Sequence, residues 1–349
     1  MDFSFSSDQN ELRTLTRQIL LDVCTPEHLK TVGNTDSGTD LALWKTLGDA
    51  GIVGIALPES AGGGGLGITE ASIVLEEIGR AAAPVPALAV IALAAPALAS
   101  KPELLEGVAT GDVIVTAAVH EPVGDVFTPT TSVVDGRLTG TKVCVPHGLL
   151  ARRFVVTAAD GLYVVEADDP GVTVSRQDTT TGVPDAMVEF AGAKASCLGG
   201  PSAVVDLIHR GIAGSCVMLS GACDAALRLT AEYTKNRRQF DKQIASFQAV
   251  SQRAGDSYID TEAVRLTAWQ AVWRLENGLP AAEALLTAKF WAAEGGWRVM
   301  HAAHHLHGGM GVDRDYPLHR YFLMHKQLEL QLGSAQPSLL RLGRLMVGA

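Results

Sequence analysis

The chain has 349 residues, with 28 Lys+Arg against 38 Asp+Glu for a formal net charge of -10, and 47% hydrophobic against 19% charged residues. That length exceeds one compact core and that balance excludes a disordered chain, so two or three folded domains are expected. The acidic charge gives no long-range attraction to phosphate backbones or anionic lipid, which argues against nucleic-acid and membrane-surface partners.

The start, Met1-Asp2-Phe3-Ser4, carries neither the basic residues nor the apolar run of a secretory signal. The cysteines, Cys24, Cys144, Cys197, Cys216 and Cys223, form no C-x-x-C pair, so neither a disulfide framework nor a zinc knuckle is expected and a cytoplasmic location fits. From Asp8 to about Gly111 the period is helical. Asp8 with Glu11 reads as an N-cap pair, and Leu12, Leu15, Ile19 and Leu20 recur at helix spacing. Leu41, Trp44, Leu47 and then Ile73, Leu75, Ile78 continue the signal. Gly62 to Gly67 matches G-x-G-x-x-G, but no parallel strand with an acid follows and no Gly-Lys-Ser/Thr is present, so a flexible loop is expected rather than a nucleotide site. Ala81 to Ala99 is apolar enough for a membrane span, yet Pro84, Pro86 and Pro96 interrupt it and predict a kinked, buried helical segment without membrane insertion.

Between about Asp112 and Gly200 the pattern changes to short β-branched runs: Val113-Ile114-Val115, Val143-Cys144-Val145, Phe154-Val155-Val156, Tyr163-Val164-Val165 and Met187-Val188. Asp135-Gly136 and Asp160-Gly161 lie between such runs and supply the positive φ of a two-residue hairpin turn, predicting an antiparallel β-domain. From Ser202 onward long helices return, Val204 to Lys235, Phe247 to Glu276 and Ala281 to His305, with Trp269, Trp273, Trp291 and Trp297 expected to pack between them. The expected fold is α+β and multidomain: a helical domain over 1–111, a β-barrel or sandwich over 112–200, and a helical bundle over 201–349.

His301, His304, His305 and His307 have the spacing of metal ligands, but a helix C-terminus running into Gly308-Gly309-Met310-Gly311 accounts for them without a metal. The polar stretch Arg237-Arg238-Gln239-Phe240-Asp241-Lys242-Gln243 through Phe247-Gln248 interrupts two long helices. Its arginines can fork onto phosphate oxygens, with Phe240 and Gln248 beside an adenosine; the alternative is an ordinary solvated loop.

That stretch resembles the R-x-x-F-G-x-x-I-x-x-F-Q signature of the acyl-CoA dehydrogenase family. Leu43-Trp44 with Leu47, Gly51 to Glu59, Gly63 to Gly67 and Leu75-Glu76-Glu77-Ile78-Gly79-Arg80 resemble that family's N-terminal helical domain, and Leu306 to Gly311 its late glycine loop. The resemblance covers nearly the whole chain. It implies FAD as cofactor, an acyl-CoA thioester as substrate, electron-transfer flavoprotein or a similar acceptor, and a glutamate that takes the α-proton while the β-hydrogen leaves as hydride. It also implies that Arg237, Phe240, Gln248, Gly308, Gly309 and Gly311 hold the ADP part of a flavin across a subunit interface.

The chain departs from the family where the base should stand. Matching Lys326 to the lysine before the usual site brings Leu332 onto the glutamate, and the alternative site falls near Gly211, with no carboxylate closer than Asp206. The strand Gly140 to Pro146 has Cys144 and Pro146 where the family carries an aromatic and a threonine beside the flavin, and His120 replaces a threonine. Loss of the base with retention of the clamp is the pattern expected of the short partner subunit of an actinobacterial hetero-oligomeric acyl-CoA dehydrogenase, a heterotetramer with a homologous catalytic subunit acting on bulky or steroid side-chain thioesters. A self-sufficient homotetramer and a flavin-free CoA-thioester-binding protein are the alternatives.

Overall fold

The computed structural model describes residues 4–348. Two compact units emerge, one from the chain up to Lys30, Ser72–Ala83 and everything from Ser215, the other from Thr31–Ala71 and Pro84–Gly214. The first helices are α1 (Ser7–Val23), α2 (Pro26–Gly33), α3 (Leu41–Asp49) and α4 (Ile68–Ala81). The cap of α1 is Ser6 rather than Asp8: Ser6 Oγ accepts from the Gln9 amide at 3.2 Å while Gln9 Oε1 accepts from the Ser6 amide at 2.9 Å. This reciprocal pair satisfies two orphan donors and leaves Asp8 in the first turn, where its charge complements the helix dipole.

In the unit built around residues 31–71 and 84–214, the apolar run becomes a buried π-helical turn, Leu88–Ala94, that continues into α5 (Ala95–Leu98). The Gly62 to Gly67 stretch is a largely exposed loop whose Gly63 and Gly64 lie against the backbone before it. A Cβ on Gly63 would meet Leu57 O at 2.3 Å and one on Gly64 would meet Ile55 O at 2.7 Å, so the glycines let this loop lie on the preceding backbone.

Two four-stranded sheets follow. One has the order β1 (Val115–Ala118), β4 (Arg153–Ala158), β5 (Gly161–Glu166), β8 (Ser196–Gly199); the other runs β2 (Ser132–Val134), β3 (Arg137–Pro146), β7 (Asp185–Lys194), β6 (Val172–Gln177). Phe154, Val156 and Val165 from the first and Leu138, Val145, Val188 and Phe190 from the second share one core, a β-sandwich. Every pairing within these sheets is antiparallel except β1 with β4, which is parallel and corrects the expectation of a wholly antiparallel domain. The chain between β1 and β4 forms strands of the other sheet, so β4 returns beside β1 in the same direction.

The β2–β3 turn has Asp135 at φ 49° and Gly136 at φ 71°, as the Asp-Gly pair requires. The β4–β5 turn differs. Ala158 pairs with Gly161, so Ala159 and Asp160 form the turn with ordinary negative φ, while Gly161 belongs to the strand. A Cβ on Gly161 would lie 2.3 Å from Gly199 O, which makes close strand approach, not turn geometry, the reason for that glycine.

The remaining helices are α6 (Pro201–Asn236), α7 (Gln248–Glu276), α8 (Ala282–His307), α9 (Leu318–Leu330) and α10 (Ala335–Val347), with a two-stranded hairpin of β9 (Arg238–Gln239) and β10 (Lys242–Gln243) before α7. By length and composition α6 alone among the described residues would cross a membrane, but 72% of its apolar stretch is buried in protein. Residues Ala222, Cys223 and Ala226 of α6 pack with Val299, Met300 and Ala303 of α8 and Leu318 of α9. The approach of α4 to α6 is set by glycine: a Cβ on Gly79 would lie 2.1 Å from Met218 O, and one on Gly221 2.0 Å from Glu76 O. Glu76 and Glu77 are buried there and paired. Arg17 Nε donates to Glu77 at 2.8 Å, and Glu76 Oε1 accepts from Ser220 Oγ at 3.0 Å and Trp269 Nε1 at 3.1 Å. Trp269 therefore packs as expected, whereas Trp297 is 41% exposed against His301.

Candidate active site

Helix α6 ends at Asn236, and the Arg237 amide still donates to Tyr233 O at 2.8 Å, so Arg237 leaves the helix one turn beyond Tyr233 with its side chain exposed. The hairpin that follows turns through Phe240 at φ 53° and Asp241 at φ 59°. Phe240 is 87% exposed, and its only ring contact among the described residues is an edge-on approach to Phe247, 6.4 Å between centroids. An aromatic ring so exposed gains nothing from the fold and is available to a ligand or a partner. Arg238 is engaged locally, its guanidinium donating to Asp241 O at 2.8 Å.

Gln248 is the first residue of α7, whose cap residue Phe247 offers no side-chain hydrogen bond to the first-turn amides. A helix start without a side-chain cap leaves amide donors and the positive end of the dipole for an anion. Gly308 closes α8 at φ 59° and ψ -135°, a conformation reserved for glycine, and begins the turn Gly308–Val312. Gly308 and Gly309 are exposed with no atom within 4 Å of a notional Cβ, whereas Gly311 is buried and a Cβ there would meet His304 O at 3.1 Å. Exposed arginine, exposed aromatic, free helix amides and glycine backbone are donors and surfaces that suit the pyrophosphate and adenosine of FAD.

Helix α8 does end in the histidine cluster, with His304, His305 and His307 in its last turn. Each has a partner other than a metal. Nδ1 of His304 lies 2.9 Å from Met300 O, Nδ1 of His305 lies 3.0 Å from Arg253, and His307 is bound to Ala303 O and Tyr316. No group of three or more potential metal ligands occurs among the described residues.

Neither position expected from the resemblance to hold the base carries a carboxylate. Leu332 follows α9, 5% exposed and at φ 57°, with Gly333 at φ 103° after it. A left-handed leucine is strained, and the segment is held from behind by Lys289, fully buried, whose Nζ donates to Leu328 O in the last turn of α9 at 2.6 Å. Burial lowers the Lys289 ammonium to about 8. Gly211 is buried inside α6 with no side chain to act, and Asp206, a turn earlier, is exposed.

In the β-sandwich, the register of β3 against β7 shifts between Lys142 and Val145, and Cys144 sits at φ 51° in that bulge. The bulge turns Cys144 to solvent, and its amide donates to Gln177 Oε1 at 2.7 Å. Pro146 has no amide to donate, and its carbonyl accepts from Thr116 Oγ1 at 2.6 Å. Neither Cys144 nor Pro146 carries a hydroxyl. Sequence patterns did not point to the buried pair behind them. Lys142 Nζ reaches Glu121 Oε1 at 2.9 Å, Thr157 Oγ1 at 3.0 Å and Val119 O at 3.3 Å. Glu121 also accepts from the amides and hydroxyls of Thr130 and Thr131, at 2.6 to 3.0 Å, and Lys142 first, with these donors, holds its carboxyl at about 2 despite burial.

Comparison with known proteins gives two family matches, to the acyl-CoA dehydrogenase N-terminal domain over residues 6–111 and to the acyl-CoA dehydrogenase C-terminal domain over residues 199–346. Acyl-CoA dehydrogenase FadE27 of Mycobacterium tuberculosis is 40% identical over 366 residues, covering 99% of this chain and 98% of the relative. Among solved structures, the ChsE4-ChsE5 complex from Mycobacterium tuberculosis matches with a TM-score of 0.95 and 40% identity over 100% of both chains. A variant of the Tcur3481-Tcur3483 steroid ACAD matches with a TM-score of 0.93 and 40% identity over 98% of both.

Proposed function

We propose, for a chain that belongs to the acyl-CoA dehydrogenase family, that it is the non-catalytic partner of a homologous catalytic subunit in a hetero-oligomeric enzyme. The family's members are FAD-dependent oxidoreductases acting on CH–CH bonds. The observation that carries the reading is a buried leucine at position 332, where proton abstraction needs a carboxylate, in a chain whose Arg237 and Phe240 remain exposed.

In this reading Arg237 places its guanidinium on the flavin pyrophosphate, the start of α7 at Gln248 adds amide donors, Phe240 covers the adenosine, and Gly308, Gly309 and Gly311 let backbone approach it. Bound FAD supplies the hydride acceptor. Leu332 neither takes nor holds a proton; it keeps an apolar wall where the catalytic subunit has its acid-base group. The substrate is an acyl-CoA thioester with a bulky, steroid side-chain acyl group, electron-transfer flavoprotein or a similar protein takes the electrons, and the assembly is a cytoplasmic heterotetramer. Likeness to the ChsE4-ChsE5 complex and to a steroid ACAD supports the steroid acyl group and assembly with a second kind of chain. The division into a helical domain at 1–111, a β-domain at 112–200 and a helical bundle at 201–349 is proposed with it.

The test is expression of the chain alone and together with a homologous neighbouring subunit, followed by gel filtration and a flavin count per chain. The expected result is little flavin and negligible turnover alone, and both restored in a stoichiometric complex. Robust turnover by a verified homo-oligomer would establish the self-sufficient reading instead, and a flavin-free complex would favour a CoA-thioester-binding protein.

A further inference from the structure

The two parts of the clamp are far apart in sequence, yet one imidazole lies beside the glycine turn and on Tyr233, one helical turn before Arg237. His307 is the last residue of α8, 3% exposed, directly before Gly308. Its ring stacks on Tyr233, with centroids 4.3 Å apart and planes at 24°. Tyr233 is the residue whose carbonyl receives the Arg237 amide. The Tyr233 hydroxyl reaches back toward His307 O at 3.4 Å.

The hydrogen bonds of the ring fix its protonation. Nδ1 lies 2.8 Å from Ala303 O, a pure acceptor, so Nδ1 carries the proton. Nε2 is then an acceptor, and the Tyr316 hydroxyl donates to it at 3.0 Å. Tyr316 stands on the chain that returns from the glycine turn toward α9, and its ring also meets Tyr233 edge-on at 6.3 Å. Burial lowers the affinity of His307 for a second proton, in keeping with this neutral tautomer.

We infer that His307 is a positioning residue that, through its stack on Tyr233 and its hydrogen bond from Tyr316, sets the Arg237 segment and the Gly308–Gly311 turn in the mutual register that the ADP part of FAD requires. The inference rests on the proposed clamp. His307 does not touch the ligand; its function is to fix the clamp before the ligand arrives, so that binding does not have to order two independent segments. Any buried imidazole needs its nitrogens satisfied; what sets His307 apart is that its partners, Tyr233 and Tyr316, flank the two segments of the clamp.

The experiment uses the assembled flavoprotein and reads the FAD dissociation constant by recovery of flavin fluorescence, with ADP competition and the melting temperature alongside. The variants are His307→Leu, His307→Phe, Tyr316→Phe, Arg237→Ala and, as a stability control, His325→Leu, which removes another buried imidazole, bonded to Ala292 O at 3.2 Å. His307→Leu should weaken FAD and ADP about 10-fold or more, and Tyr316→Phe about 3- to 10-fold, as expected for losing one buried hydrogen bond. His307→Phe, which restores the stack, should recover part of the loss. If His325→Leu lowers the melting temperature as much as His307→Leu and weakens FAD equally, or if the His307 and Tyr316 variants bind FAD as wild type while Arg237→Ala does not, the positioning role is overturned. If Arg237→Ala also binds as wild type, the clamp itself is refuted.

Discussion

Replacing Lys142 with methionine removes one charge of a buried pair while roughly keeping side-chain volume. The Lys142 side chain is fully buried and that of Glu121 only 8% exposed, so water solvates the ammonium not at all and the carboxylate only in part. Removing one partner of such a pair typically costs about 3–5 kcal/mol, because the other charge remains buried. Here Glu121 retains the donors of Thr130 and Thr131, whereas Val119 O and Thr157 Oγ1 lose a donor, so a cost near the lower end, about 3 kcal/mol, is expected. The pH dependence follows from the carboxyl. Its folded value of about 2 lies below the ordinary 4.5, so its stabilisation is fully present above pH 4.5 and disappears as pH falls toward 2. That span corresponds to about 3 kcal/mol. Without Lys142 the folded value rises, and the acid-sensitive window narrows and moves up. Glu121→Gln in the Lys142→Met background should return part of the loss, since no charge is then left unpaired. Hydrogen exchange of the amides in β3 and β4, followed by mass spectrometry from pH 7 down to about pH 2, measures the opening free energy of this sandwich without assuming that the whole chain unfolds in one step. A change below about 0.5 kcal/mol on Lys142→Met, or a double variant less stable than the sum of the singles, would refute this account of the pair.

Arg237→Ala should weaken FAD retention by the assembled complex about 10- to 150-fold with little change in melting temperature, since its guanidinium is exposed and a charge-assisted pair is worth about 1.5–3 kcal/mol. Arg238→Ala, which loses only the local bond to Asp241 O, should change flavin content little, and flavin absorbance after gel filtration measures both. The chain alone, offered acyl-CoA and an artificial electron acceptor, should turn over about 10²- to 10⁴-fold below the complex, as loss of a general base predicts. Gly221→Ala places a Cβ within 2.0 Å of Glu76 O, so α4 and α6 must separate; the yield of folded protein should collapse, which circular dichroism and gel filtration of the soluble fraction would register.

Local rules carried the sequence a long way. Helix period located α6, α7 and α8 to within three residues at either end, because apolar repetition along a long helix is a property of the segment itself. Asp135-Gly136 specified its hairpin through the φ values that only such residues adopt readily, and the proposed clamp and the positions proposed to lack the base rest on the family's spacing without reference to contacts. The short helices α9 and α10 escaped notice, as did β6 and β8, whose half-buried residues give no clean alternation. Tertiary structure alone decided three matters. The parallel pairing of β1 with β4 depends on chain folded between them, not on either strand's composition. The burial of Glu76, Glu77, Lys142 and Lys289 is permitted only by partners distant in sequence, since an unpaired charge would not stay inside. The stack of His307 on Tyr233 joins residues 74 apart, and no periodicity encodes a contact whose energy exists only once two helices have docked.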